Sequence, residues 1–137
     1  MNLIVAVDNN LGMMFNNRRQ SRDERLRERI LEIVGDNVLY MNFYTLEQFE
    51  RNKNIVLSKN PMDDGDEDDY CFIENLDVKE KENNFNKIII YHWNREYPGD
   101  KFFNIDLSNW ELISEYEFVG KSHDNIKECV YVRKEIK

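Results

Sequence analysis

Several residue types are scarce in this sequence, and each scarcity excludes a class of protein. Its 137 residues include two cysteines, two prolines and five glycines, which excludes a disulfide-framed miniprotein and a collagen-like repeat. No apolar run approaches the roughly 18 residues of a membrane span, and the N-terminus lacks the basic stretch of a signal peptide. Cys71 and Cys129 have no Cys-x-x-Cys companion, so we expect reduced thiols and a cytoplasmic protein.

The sequence does contain enough apolar material for one core. Apolar residues make up 41% of the chain and charged residues 34%, a balance that is typical of a globular domain rather than of a disordered chain. The length also matches one compact domain. We therefore expect a single domain over residues 1–137.

Charge is concentrated in two segments. The formal net charge is −8, and residues 63–69 carry six of the carboxylates, among them Asp64, Asp66 and Asp68. Six of the nine arginines lie between Arg18 and Arg29. Because a protein of net negative charge repels phosphate backbones, we expect no direct binding of nucleic acid.

The acidic segment has two interpretations. The spacing of Asp64, Asp66 and Asp68 resembles the first half of a calcium loop, but Asp69 and Asn75 stand where such a loop has its glycine and its glutamate. The composition favours the other interpretation, a mobile, solvated loop without metal.

Hydrophobic patterning predicts strands interleaved with two helices. Apolar runs predict strands at residues 3–7, 38–41, 55–58, 70–73, 88–91 and 130–132, and alternation predicts a half-buried strand at 110–119. Two capping boxes, which start at Ser21 and Thr45, predict the helices, the first of which ends at Gly35. This order favours a three-layer α/β domain with a mixed sheet and an antiparallel C-terminal hairpin.

Four segments, in their correct order, resemble the dihydrofolate reductase family. They are LIVAVDNNLG at residues 3–12, MNFYTLE at 41–47, NIVLS at 54–58, and GDKFF at 99–103 with NWE at 109–111. The resemblance covers most of the chain. It implies the three-layer dihydrofolate-reductase-like fold, with a mixed, mostly parallel sheet that lacks one strand-helix unit.

The residues that the family uses for reduction are largely replaced. The resemblance places Arg25 or Leu26 where the family has its pteridine-binding carboxylate, with Asp23, Glu24 and Glu28 as alternatives, although such helix charges are usually solvated ion pairs. Met14 replaces the second glycine of the family's Gly-x-Gly loop, which adds a side chain where the backbone must approach the nicotinamide.

The resemblance also implies that the cofactor site is lost. Phe43 and Tyr44 replace the arginine and lysine that hold the cofactor phosphates in the family, and Asn52 replaces the arginine that binds the folate tail, with Arg51 beside it. The family's Gly-Gly pair either becomes His92-Trp93 or is absent, depending on which of two family strands residues 88–93 represent. We expect no cofactor and no catalytic residues.

These features predict a catalytically inactive protein-binding module. Large side chains should gather where the family binds its ligands, either as an exposed partner-binding patch or as an internal filling of the unused pocket. The predicted partner-binding residues are Met13, Met14, Phe15, Phe43, Tyr44, His92 and Trp93, with Asp64, Asp66 and Asp68 in the acidic segment. The expected partner is a host protein, and the expected origin is a phage or mobile element. The alternatives are a divergent reductase that binds pterin or NADPH, and a structural subunit of an assembly.

Overall fold

The computed structural model describes residues 1–134. The strands are β1 (Asn2–Val7), β2 (Gly12–Phe15), β3 (Arg18–Arg19), β4 (Leu39–Met41), β5 (Ile55–Leu57), β6 (Tyr70–Phe72), β7 (Lys87–His92), β8 (Lys101–Phe102), β9 (Trp110–Phe118) and β10 (Ile126–Arg133). The α-helices are α1 (Glu24–Val34) and α2 (Phe43–Leu46), and short 3-10 helices cover Lys79–Asn84 and Leu107–Asn109.

Seven strands form one mixed sheet in the order β5-β4-β6-β1-β7-β10-β9. The first five strands of this order are parallel, and β10 runs antiparallel to both β7 and β9. The predicted α/β class, the mostly parallel sheet and the antiparallel C-terminal hairpin are therefore confirmed. A second, three-stranded sheet has the order β3-β2-β8. The sequence patterns did not predict this sheet.

The large sheet has a hydrophobic layer on each face. On one face α1 contributes Leu26, Ile30 and Val34, which recur at helical spacing and are all buried. Full burial of each such side chain stabilises the fold by roughly 1.5–3 kcal/mol. On the other face the covering residues come from loops and short elements, among them Phe85 and Phe103. The third layer is therefore poor in helix.

Both helices begin at a different residue from the one that the capping boxes predicted. Asp23, not Ser21, is the N-cap of α1, and its carboxylate accepts from the backbone N–H groups of Arg25 and Leu26. In the same way Asn42, not Thr45, caps α2. Asp and Asn are strong N-caps, and the hydrogen bonds that Asp23 accepts from the loop after β9, described below, hold it in this position. The predicted end of α1 at Gly35 is confirmed by a φ of 58°.

The strand β9 differs from its prediction as a half-buried element. Trp110 and Phe118 at its ends are buried, but all seven residues between them are exposed, including Leu112 and Tyr116. The reason is position: β9 is the outermost strand of the sheet. Guanidinium groups of α1 reach over it, and that of Arg29 lies 4.5 Å from the centre of the Tyr116 ring.

The strands β6 and β7 both pair in parallel with β1, one on each side, and the 3-10 helix Lys79–Asn84 lies between them in the chain. Both strands that the apolar runs at 70–73 and 88–91 predicted are therefore present. His92 is the last residue of β7, and Trp93 follows it directly.

Within residues 1–134 no helix is long and apolar enough to cross a membrane.

Candidate functional site

The carboxyl ends of the parallel strands form one rim of the sheet, and in open α/β sheets this rim is where ligands bind. The strands β1, β4, β6 and β7 end there, followed in the chain by Asp8, Asn42, Ile73 and Trp93. The loop between β9 and β10, residues 119–125, reaches the same rim, because Lys127 pairs with His92 at the end of β7. The side chains at this rim are the candidate functional site.

The carboxylate of Asp8 is fully engaged by the chain itself. Asp8 is 1% exposed, and its Oδ1 accepts from the backbone N–H groups of Asn10 and Gly12 at 2.9 and 2.7 Å. Its Oδ2 accepts from the backbone N–H of Tyr97 at 3.0 Å and from Gln20 at 3.4 Å. Asp8 therefore closes the loop after β1 and leaves no oxygen directed at a ligand.

A second carboxylate at the rim is paired with an arginine. Glu74, which follows β6, lies 3.0 Å from Arg19 Nε and 3.3 Å from its Nη2. The Arg19 guanidinium also lies over the ring of Tyr44, 4.4 Å from its centre. The Tyr44 hydroxyl accepts from the backbone N–H of Arg19 at 2.6 Å. These contacts occupy the start of α2, where the family resemblance puts cofactor phosphates.

The third group is centred on Asp23 and His123. The Asp23 Oδ2 lies 3.0 Å from His123 Nδ1 and accepts from the backbone N–H of Ser122 at 2.8 Å. Its Oδ1 accepts from the backbone N–H of Lys121 at 3.0 Å. Burial alone would raise the pKa of Asp23, but the hydrogen bonds from His123 and from the two amides outweigh it and hold the pKa well below its usual range. The carboxylate is therefore ionised at neutral pH.

The His123 side chain is almost as deeply buried as that of Asp23. It is 2% exposed and stacks on Trp93, with the ring centres 4.5 Å apart and the planes 25° from parallel. The outward nitrogen, Nε2, lies 2.9 Å from Ser21 Oγ and 3.1 Å from the Tyr97 hydroxyl. This group therefore joins the start of α1 to the end of β7 and to the β9–β10 loop.

A fourth ionised group lies under α1, away from the rim. Arg29 Nε contacts Glu128 Oε1 at 2.9 Å, and the Tyr91 hydroxyl donates to the same oxygen at 2.7 Å. Burial and the nearby Glu128 carboxylate raise the pKa of Tyr91 well above its usual value, so the phenol remains protonated. The space between α1 and the sheet is thus filled by a large aromatic side chain and an ion pair.

The predicted partner-binding residues do not form one surface. Met13 and Met14 are each 4% exposed and Trp93 is 3% exposed, so these three side chains belong to the interior, as the pocket-filling alternative expected. Tyr44 and His92 are half-buried. Phe15 and Phe43 are exposed at 45% and 66%, and they keep the predicted role as a proposal.

The acidic segment is exposed but not detached from the fold. Asp64, Asp66 and Asp68 are exposed, and Ser58 donates a hydrogen bond to the Asp64 carboxylate. The backbone around them is held, because the Glu67 carbonyl accepts from the side chains of Asn2 and Asn86. Residues 1–134 contain no group of three or more His, Cys, Asp and Glu side chains arranged to hold a metal ion.

One groove away from the rim carries unused hydrogen-bond donors. It lies between α1 and the segment after α2, and its lining includes Arg27, Leu31, Gln48, Phe49 and Arg51. Within the described residues, Arg27 Nη1 and Gln48 Nε2 are buried without a hydrogen-bond partner. Leaving a buried donor of this kind unpaired costs roughly 1–3 kcal/mol.

Comparison with known proteins decides the fold. The sequence matches no protein-family model and no curated protein. Among solved structures, the chain is similar to a dihydrofolate reductase from Enterococcus faecalis, complexed with NADP(H) and RAB-propyl, with a TM-score of 0.70. The match covers 98% of this chain and 96% of that one at 17% sequence identity. The fold is that of dihydrofolate reductase.

The likeness to dihydrofolate reductase is one of fold. The contacts of the rim were not predicted from the sequence, because the partners lie far apart along the chain: Asp23 and His123 are 100 positions apart, and Arg19 and Glu74 are 55. His123 had no sequence signal. Asp8 did carry one, as an acidic residue directly after a buried strand.

Proposed function

We propose that this protein does not carry out NADPH-dependent reduction and instead acts as a protein-binding module on the dihydrofolate reductase fold. The observation that supports it is at the rim: Arg19 binds both Tyr44 and Glu74 at the start of α2, where the family resemblance expects cofactor phosphates. A dinucleotide would have to break a charge pair of which Glu74 is only 8% exposed, and it would then meet that carboxylate.

The proposed binding surface is the exposed aromatic and basic part of the rim. Phe15 and Phe43 are exposed, and the exposed Arg18 belongs to β3, which pairs with the strand of Phe15. Aromatic and arginine side chains are enriched at protein interfaces because they provide a large contact area for little loss of rotamer freedom. The exposed carboxylates Asp64, Asp66 and Asp68 are the second candidate surface.

The proposal extends to the setting in which the protein works. A phage or mobile-element accessory protein, acting in the cytoplasm on a host protein that handles nucleic acid or takes part in defence, fits the small size and the net charge of −8. In that role the six acids of residues 63–69 would imitate nucleic-acid phosphates in front of a basic partner.

The binding proposal is tested by capture from a host lysate with matched variants. The wild-type chain should retain a partner that Phe15→Ala with Phe43→Ala loses by at least ~10-fold, since central aromatic anchors contribute 2 kcal/mol or more. Leu112→Ala, which removes a side chain that is also exposed (42%) but lies on β9, is the control and should bind like the wild type. Equal capture by the double variant would place the interface elsewhere, with the acidic segment as the next candidate.

A second candidate function, binding of a small carboxylate-bearing ligand such as a pterin derivative, is favoured by the groove beside α1. Its buried donors, Arg27 Nη1 and Gln48 Nε2, have no partner within the described residues. Calorimetry with NADPH and with folate separates the two functions. The first predicts no heat of binding for either ligand up to about 1 mM, roughly the top of the usual KM range for a substrate, whereas binding of folate that Arg27→Ala abolishes would support the second.

A further inference from the structure

A chain of hydrogen bonds links a serine, a histidine and a carboxylate at the rim. Ser21 Oγ lies 2.9 Å from His123 Nε2, and His123 Nδ1 lies 3.0 Å from Asp23 Oδ2. Both distances are within hydrogen-bonding range. A hydroxyl, an imidazole and a buried carboxylate connected in this order have the geometry of a catalytic triad, which is recognised by contacts and roles rather than by sequence positions.

The Asp23 carboxylate fixes the direction of the hydrogen bonds. An ionised carboxylate only accepts, so the hydrogen of the Asp23–His123 contact resides on Nδ1. In the neutral ring this leaves the lone pair of Nε2 directed at Ser21, as general-base catalysis requires. Five further contacts from Arg25, Leu26, Lys121 and Ser122 hold Asp23 in place, and stacking on Trp93 holds the imidazole.

The serine is the accessible member of the group. Ser21 is half-buried, whereas His123 and Asp23 are 4% and 2% exposed. The neighbouring surface groove is lined by Phe15, Gln20, Tyr97 and Pro98 among others, and Tyr97 belongs both to this groove and to the His123 contacts. An apolar acyl group could thus lie on the aromatic lining with its carbonyl near the serine.

We infer that Ser21, His123 and Asp23 form a nucleophilic centre that hydrolyses small carboxylic esters. Ser21 Oγ attacks the ester carbonyl carbon while its proton passes to His123 Nε2. The C–O bond to the alcohol then breaks, and the alcohol leaves with the proton from Nε2. Water attacks the acyl-serine, gives one proton to Nε2, and the carboxylic acid departs as that proton returns to Ser21 Oγ. Asp23 orients the ring and stabilises its protonated form.

Tyr97 supplies the hydrogen bond to the developing oxyanion. Its hydroxyl lies 3.1 Å from the same Nε2 that contacts Ser21. One lone pair accepts from one hydroxyl at a time, so the Tyr97 proton is available to another acceptor whenever Ser21 donates to the ring. Donors aimed at the developing negative charge are worth about 10²–10³ in kcat each.

The reacting atoms of this inference belong to Ser21, His123 and Asp23, which are not part of the proposed protein-binding surface, so the two proposals can fail separately although Phe15 lines both places. The test is labelling of the folded full-length chain with a fluorophosphonate probe, followed by intact mass and peptide mapping, with p-nitrophenyl acetate hydrolysis as the second readout. The wild type should form one adduct, on Ser21. Ser21→Ala and His123→Gln should each lose labelling and lower kcat/KM by at least ~100-fold.

Two further variants separate catalysis from structural packing. Ser114→Ala removes an exposed serine on β9 and should label and hydrolyse like the wild type. Ser21→Cys should react with iodoacetamide at least ~10-fold faster than the same variant with His123→Gln, because the base promotes the thiolate. The background is low, since Cys71 and Cys129 are buried.

A folded wild type without an adduct on Ser21 would overturn the inference. An adduct on any other residue alone, or a Ser21→Ala variant that hydrolyses the ester at the wild-type rate, would overturn it as well. Circular dichroism and the melting temperature of each variant show whether the chain under test is folded.

Discussion

Two groups of carboxylates in this protein behave in opposite ways. Asp8, Asp23, Glu74 and Glu128 are between 1% and 8% exposed, and each accepts hydrogen bonds from at least one residue that lies far away along the chain. The acids of residues 63–69 are more numerous and lie next to one another, yet those at 64, 66 and 68 are solvent-exposed. Because a buried charge without donors is costly, we expect stability to depend on the hydrogen bonds of the buried carboxylates more than on the number of acidic residues.

Replacement of Asp23 should destabilise the fold more than any other change proposed here. Asp23→Ala takes away the N-cap of α1 and leaves His123 and the amides of Lys121 and Ser122 without their acceptor. We expect the free energy of unfolding to fall by about 3 kcal/mol or more, measured by urea denaturation. Ser122→Ala, which removes one donor and keeps the carboxylate, should cost about 1 kcal/mol. An equal, small loss in both variants would contradict the comparison.

Acid should reveal the same difference through the pH dependence of stability. The pKa of Asp23 is lower in the folded chain than its ordinary value of about 3.9 in an unfolded one. Its contribution is therefore fully present above about pH 4 and is lost as the pH falls toward the folded pKa. Urea denaturation between pH 6 and pH 2 should show a steeper loss for the wild type than for Asp23→Asn. Parallel curves would show that ionisation of Asp23 does not stabilise the folded chain.

Neutralising the exposed acids should have the smallest effect. Asp66→Asn with Asp68→Asn removes two like charges whose side chains make no hydrogen bond or ion pair within the described residues, so we expect the melting temperature to stay unchanged or to rise slightly as repulsion is relieved. Asp69→Asn is the informative comparison, because Asp69 accepts from the backbone N–H groups of Val38 and Asp66 and its replacement should lower the melting temperature. A large drop in the double variant would show that these carboxylates bind an ion or a cation-bearing side chain.

The sequence was sufficient for the parts of the fold that depend on local patterning. The apolar run at 3–7 and the helical spacing of Leu26, Ile30 and Val34 predicted β1 and α1, and both are present. The turn between β2 and β3 also has a local sequence signal, two consecutive asparagines. Asn16 and Asn17 have φ values of 53° and 62°, as two-residue hairpins with asparagine often do.

Tertiary structure alone decided the rim, because its contacts join residues that no local pattern relates. The capping box predicted Ser21 as the N-cap of α1, whereas the cap is Asp23, which also binds donors of the β9–β10 loop almost 100 positions away. The same holds for Met13, Met14 and Trp93, whose apolar side chains fit equally well with an exposed patch or a buried core. A side chain is buried or exposed according to which distant segments cover it, and only the folded chain brings those segments together.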